Sequence, residues 1–169
     1  MELREVLLKR RSVRKFTQEP VSEEMINELM HAAMSGPSAC NKKPWQFYVV
    51  ENQDVLEQLR QASKFTNMKA PLAIIVCGDL SNALPMQLGE YWVQDCSAAT
   101  ENILLRATDL GLGAVWCGIY PQKRAEKNVR ELLGLKEHLI PLNIILVGHP
   151  NEEPAARDQY EEERVHFIR

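Results

Sequence analysis

Apolar positions recur along this chain with two periods, one near 3.6 residues and one near 2. Leu3, Val6 and Leu7 fall at three- and four-residue steps, which predicts a short helix over 2–10. Phe16 to Pro20 reads as a connection. Ser22, with Glu23 and Glu24 after it, reads as the cap and acidic first turn of a second helix. Met25, Ile26, Leu29, Met30 and Ala33 give that helix one apolar face, and Gly36-Pro37 stops it after about Ser35. Trp45 to Val50 predicts a strand, Asp54 to Ala62 a helix, and Leu72 to Cys77 a buried strand.

The longest helical pattern runs from Tyr91 to Leu110, with apolar groups on nearly every side. It is expected to be buried on most sides, central to a fold or an interface, with Gly111 as its C-cap. Ala114 to Gly118 reads as a strand, Pro121 opens a helix to about Leu133, and Pro141 to Gly148 reads as another strand. A polar tail over 151–164 follows, and Val165 to Ile168 is expected as a short final strand. Four or five strands with helices between and around them make an α+β or α/β domain, with strand order left open.

At 169 residues, the chain has the length of one domain, 1–169. Its 45% apolar and 25% charged residues are ordinary for a globular protein, and a net charge of −3 does not suggest a nucleic-acid binder. No apolar run approaches the ~18 residues of a membrane span, and the basic start lacks the order of a signal peptide. Cys40, Cys77, Cys96 and Cys117 form no C-x-x-C pair and have no histidine at zinc-like spacing, so no metal site is read. They are expected as reduced, mostly core residues of a cytoplasmic protein.

Charge is uneven. Residues 4–15 hold six basic groups against the single acid Glu5, whereas 151–169 hold six acids and three arginines. A basic cluster inside an acidic protein suits an anionic partner, although a helix end alone also favours cations. Chemistry of several common kinds has no motif here. There is no phosphate-binding G-x-x-x-x-G-K-[ST] loop and no G-x-S-x-G elbow. Gly111-Leu-Gly113 is no dinucleotide fingerprint, because it runs from helix to strand and its third glycine is misplaced.

Three segments carry the candidate chemistry. Arg10-Arg11-Ser12-Val13-Arg14-Lys15-Phe16 offers guanidinium forks and a hydroxyl suited to a phosphate. Gly36 to Trp45 is a polar loop between helix and strand, shaped by two prolines, whose Ser38 and Asn41 can hydrogen-bond a polyol. Gly111 to Pro121 holds a strand ending in Gly118, where a planar ligand can approach the backbone. Alone each is weak, since a proline-serine pair is most often a turn and a strand tryptophan is most often core. Together and in this order they resemble the nitroreductase family of FMN-dependent oxidoreductases. The resemblance covers nearly the whole chain: RRSVRKF, PSACNKKPWQFYVV, the helix and strand from Tyr91 to Pro121, and the ending VGHP with the arginines and RVH after it.

The resemblance implies an α+β fold with a central, mostly antiparallel sheet of four to five strands surrounded by helices. It also implies an intertwined homodimer with FMN at the subunit interface. Arg10, Arg11 and Ser12 would hold the phosphate or polar edge of FMN, and Arg14 would face the N1–C2 carbonyl edge. A fixed cation there stabilises the reduced ring. Pro37, Ser38, Ala39 and Asn41 would come from the other subunit to line the ribityl chain and ring. Trp116, Cys117, Gly118 and Ile119 would run past the ring, with a backbone N–H, of Gly118 for instance, near N5. Arg157 matches a basic position near the phosphate, and residues 165–168 would cross to the partner's sheet.

NAD(P)H would be a transient co-substrate, followed in the same pocket by a nitroaromatic, quinone or similar acceptor in ping-pong order. No catalytic side chain is then required. Only thirteen residues separate Cys77 from Tyr91, where larger members insert a lid, so acceptor choice is expected to be broad. Phe65, Met68 and Met86 are possible lid groups. Other readings stay open: a non-enzymatic FMN-binding or storage protein, specialised flavin chemistry such as reductive dehalogenation or flavin fragmentation, and a basic adaptor for acidic partners.

Overall fold

The computed structural model describes residues 1–85 and 88–169. Its core follows from strict alternation along the strands. Strand β2 (Leu72–Asp79) turns Leu72, Ile74 and Val76 to one face and Ala73, Ile75 and Cys77 to the other, all fully buried. A strand apolar on both sides needs cover on both sides. Helices α2 (Glu23–Met34) and α4 (Tyr91–Asp109) cover the first face. Helices α3 (Gln53–Leu59) and α5 (Lys123–Leu133) cover the second. Helix α1 (Leu3–Lys9) lies against α4.

The sheet runs β1-β2-β4-β3, where β1 is Trp45–Val50, β3 Gly113–Gly118 and β4 Leu139–Gly148, and every neighbouring pair is antiparallel. Among the described residues the sheet has four strands, all antiparallel, which meets the lower end of the expectation. The fifth does not form: 165–168 joins no strand of its own chain. Beyond Arg157, whose N–H donates to Leu8 O at 3.0 Å, the tail leaves the sheet, so this segment has no ladder to enter. Phe167 and Ile168 stand exposed at 72% and 100%.

Local signals placed the helix ends well. Ser22 caps α2, its hydroxyl accepting from Met25 N, and Asn52 caps α3 by accepting from Val55 N. Gly111 ends α4 with φ +76°. Within one chain the sheet and α2 bury one flank of helix α4. Trp92, Cys96, Ala99, Ile103 and Ala107 are buried, whereas Gln94, Ser97, Ala98, Glu101, Leu105 and Thr108 keep a partly open flank. Of the possible lid residues, Phe65 and Met68 lie in the segment after α3, and Met86 lies outside the described residues.

Candidate functional site at the free edge of the sheet

Strand β3 lies at the sheet's edge, and its register divides its residues into two sets. Ile119 N donates to Leu142 O at 3.0 Å, so odd positions of β3 bond to β4. Even positions then turn their N–H and C=O outward. Ala114 does so visibly: its carbonyl accepts from Val13 N at 3.0 Å, and Ser12 forms a parallel bridge to it. At the other end, Gln122 Nε2 donates to Gly118 O at 3.2 Å. Between these two covered ends, the Trp116 N–H and C=O and the Gly118 N–H face the free edge.

The same parity sorts the side chains. Trp116 lies on the α4 face, half-buried. Cys117 and Ile119 point to the opposite face and are 2% and 0% exposed. Of the four strand residues singled out from sequence, the structure therefore brings Trp116 and Gly118 to the open side. The side chains of Cys117 and Ile119 are core, and their N–H groups belong to the β4 ladder. Space decides the role of Gly118. A Cβ built there meets nothing within 4 Å, whereas one at Gly113 would lie 2.6 Å from Val13 Cγ1, and one at Gly78 2.2 Å from Trp92. Glycine at 113 and 78 serves packing, and at 118 it leaves bare backbone beside open space.

The basic segment is fixed along this edge. Val13 is buried against Gly113 and holds the chain down. Glu152, from the tail, accepts from Arg14 N at 2.6 Å and Lys15 N at 3.2 Å. Those amides hold its carboxyl below the usual glutamate range. The Arg14 guanidinium turns back on its own segment, its Nη1 donating to Ser12 O at 3.4 Å. Burial pushes the Cys117 thiol up to about 11, and the Arg14 charge pulls it the other way. Arg10 Nε lies 3.5 Å from Glu101 on α4, whose carboxyl is raised by burial against the pull of Arg10. Arg11 Nη1 donates to Ala155 O at 2.6 Å. Arg157 is tied by its backbone to Leu8, two residues from Arg10. The structure thus gathers Arg10, Arg11, Ser12, Arg14 and Arg157 around the end of α1 and the start of β3.

Pro37, Ser38, Ala39 and Asn41 lie elsewhere. Their loop passes the first half of α4, where Ala39 N donates to Asp95 Oδ1 at 2.8 Å. Asp95 and Glu101, the anchors of loop and basic segment, are six residues apart. That is about 9 Å along the helix and about 120° around it. Within one chain the two groups face different sides of α4 and do not converge.

Sequence reasoning missed Glu152, Gln122 and Asp95. Asp95 alone left a signal, a lone acid on the buried face of an apolar helix. Glu152 left none, since 138 residues separate it from Arg14.

Similarity to known proteins agrees with this geometry. A sequence profile of the nitroreductase family matches residues 7–76 and 68–149. A protein of Methanothermobacter thermautotrophicus, provisionally named NADH dehydrogenase/NAD(P)H nitroreductase, is 44% identical over 99% of this chain and 87% of its own length. The FMN-dependent nitroreductase of Clostridium difficile R20291 is 30% identical with a TM-score of 0.88, covering 97% of this chain and 98% of that one. A provisionally named nitroreductase of Desulfovibrio desulfuricans, solved in complex with FMN, is 26% identical with a TM-score of 0.84, covering 100% of this chain and 98% of that one. The fold is therefore shared with these proteins, and the chain belongs to the nitroreductase family.

Proposed function

We propose that the chain is an FMN-dependent oxidoreductase that carries electrons from NAD(P)H to nitroaromatic, quinone or similar acceptors. The observation that carries this reading is the outward-facing backbone of Trp116 and Gly118 on the same strand edge that the basic segment joins at Ala114. The residues fit the group. Its phosphate needs cations, which Arg10, Arg11 and Arg157 supply. Its ring needs a flat approach to backbone, which the space at Gly118 supplies. When bound, FMN would supply the redox chemistry, accepting a hydride at N5 and returning electrons to the acceptor.

The chain's own residues would orient and bias that chemistry. The Gly118 N–H, fixed in direction by the β3–β4 ladder, would donate to the ring's N5 edge. Arg14 would stand beside the N1–C2 edge, where negative charge grows on reduction, so its charge favours the reduced form. Glu152 holds the Arg14 backbone amide, and the guanidinium would give up its 3.4 Å bond to Ser12 O to do this. Ser12, locked to β3 through its bridge to Ala114, would give the phosphate a donor on a rigid element. No side-chain acid or nucleophile is needed, and protons can come from water.

A homodimer completes the site in this reading. Pro37 to Asn41 of one subunit would meet Arg10 to Arg14 of the other, because a single chain holds them apart around α4. The partly open flank of α4, the exposed Leu3 and Leu7 of α1 and the exposed Phe167 and Ile168 give two such chains apolar surface to share. Anaerobic stopped-flow is the decisive experiment. Bleaching of the ~450 nm flavin band by NADH or NADPH, then recovery on adding acceptor, supports the reading. A colourless protein, or a yellow one that neither nicotinamide bleaches, would sink it.

A further inference from the structure

Three of the four residues from Cys40 to Lys43 have left-handed backbone without being glycine: Cys40 at φ +50°, Asn41 at +54° and Lys43 at +50°. Side chains avoid this region, at a cost of about 1–3 kcal/mol each, so the surroundings must impose it. Four contacts from outside or across the loop do so. Gly36 approaches the α4 backbone so closely that a Cβ would lie 3.4 Å from Ala99 N. Ser38 Oγ accepts from Lys43 N at 2.9 Å, closing the loop on itself. Asn82 Nδ2 donates to Lys42 O at 2.6 Å. Ala39 N donates to Asp95 Oδ1 at 2.8 Å.

The last contact differs in kind. Asp95 is 6% exposed, whereas the loop's own side chains stand exposed or half-exposed. A buried carboxylate is costly to desolvate and is kept where hydrogen bonds satisfy it. One bond that satisfies it comes from the loop. It falls on Ala39, the first residue of the short 3-10 turn Ala39–Asn41, so it fixes where the left-handed run begins.

We propose that Asp95 is the positioning residue of the Pro37–Asn41 loop, holding Ala39 N–H so that the loop's strained backbone presents Ser38 and Asn41 to the flavin of the other subunit. The proposal rests on the reading of that loop as flavin-lining. Asp95 touches neither cofactor nor substrate in this role. Its oxygen acts through Ala39, and it is the acceptor, rather than the charge, that the loop requires.

The test compares Asp95→Ala with Asp95→Asn, which keeps an acceptor oxygen. Cys40 is the one exposed thiol among Cys40, Cys77, Cys96 and Cys117, so its rate of labelling by a disulfide reagent reports on the loop. FMN affinity is read separately, by quenching of FMN fluorescence on adding apoprotein. Asp95→Ala should label roughly tenfold faster and bind FMN roughly tenfold more weakly, the scale of one lost hydrogen bond. Asp95→Asn should stay within about threefold of the parent on both measures. Equal losses in the two variants would overturn the proposal, as would weaker FMN binding with unchanged Cys40 labelling. Should Asp95→Ala not fold, amide exchange in the parent protein decides. Ala39 N–H should exchange at least ~100-fold more slowly than a free amide, and fast exchange would overturn the proposal. A parent protein that binds no FMN would defeat the functional reading, while labelling and exchange would still judge the mooring.

Discussion

Adding one methyl group at each end of β3 separates the packing role of that strand from its ligand role. In Gly113→Ala the new Cβ would lie 2.6 Å and 2.8 Å from Val13 Cγ1 and Cβ. Val13 is 7% exposed and its N–H is bonded to Ala114, so it cannot swing aside. Overpacking of this kind costs about 1–3 kcal/mol, or roughly 3–9 °C of Tm for a chain this size. In Gly118→Ala the Cβ meets nothing within 4 Å, and the backbone is not left-handed. The apoprotein should therefore keep its Tm within about 2 °C, and stiffening of the unfolded chain makes a small gain possible. The assay is paired: thermal unfolding of apoprotein, and FMN affinity with the rate of flavin reduction. Gly118→Ala should leave the fold intact and weaken FMN binding or slow its reduction about tenfold, because the methyl stands where the ring would approach. Equal Tm losses in the two variants would refute the assignment of open space. Undiminished flavin binding and reduction in Gly118→Ala would refute the placement of the ring against this backbone.

Three further outcomes test other parts of the site. Arg14→Gln should lower the flavin's two-electron potential by about 20–45 mV, the equivalent of 1–2 kcal/mol of lost stabilisation of the reduced form, in a redox titration; an unchanged potential would remove Arg14 from the ring. Glu152→Gln tests linkage: its folded carboxyl lies below the ordinary value, so its contribution is present above about pH 4.5 and fades as pH falls through the lowered folded value. The acid decline of Tm below about pH 4.5 should be shallower in the variant, and superimposable profiles would count against the Glu152 clamp. Deleting 165–169 removes the exposed Phe167 and Ile168, and sedimentation should show dimer affinity falling at least about a hundredfold, since each buried side chain of this size is worth about 1.5–3 kcal/mol. Unchanged association would place the interface elsewhere.

Much of the fold was legible because its signals are local. Alternation over Leu72–Cys77, the Ser22 cap and Gly111 each act within a few residues, and each appears where the pattern put it. What depends on distant segments was not legible. Helix α4 reads as apolar on nearly every side, and only the placement of sheet and α2 shows which flank one chain covers. Run as a sequence, Trp116 to Ile119 looks like one ligand-facing stretch. The register against β4 divides it, sending Cys117 and Ile119 into the core. Arg10 to Arg14 is visible as a cluster, but the acids that aim it, Glu101 and Glu152, lie far along the chain.

An exposed strand edge is a standing invitation to other strands, which can extend the sheet into aggregates. On β3 that invitation is nearly withdrawn. Ser12 and Val13 occupy it at Ala114, and Gln122 closes it at Gly118. What remains open spans Trp116 to Gly118, about 7 Å of strand. A neighbouring polypeptide would find too few partners there to register, whereas a flat molecule of that width needs no more. The edge is narrowed to a gap too short for a second strand to join.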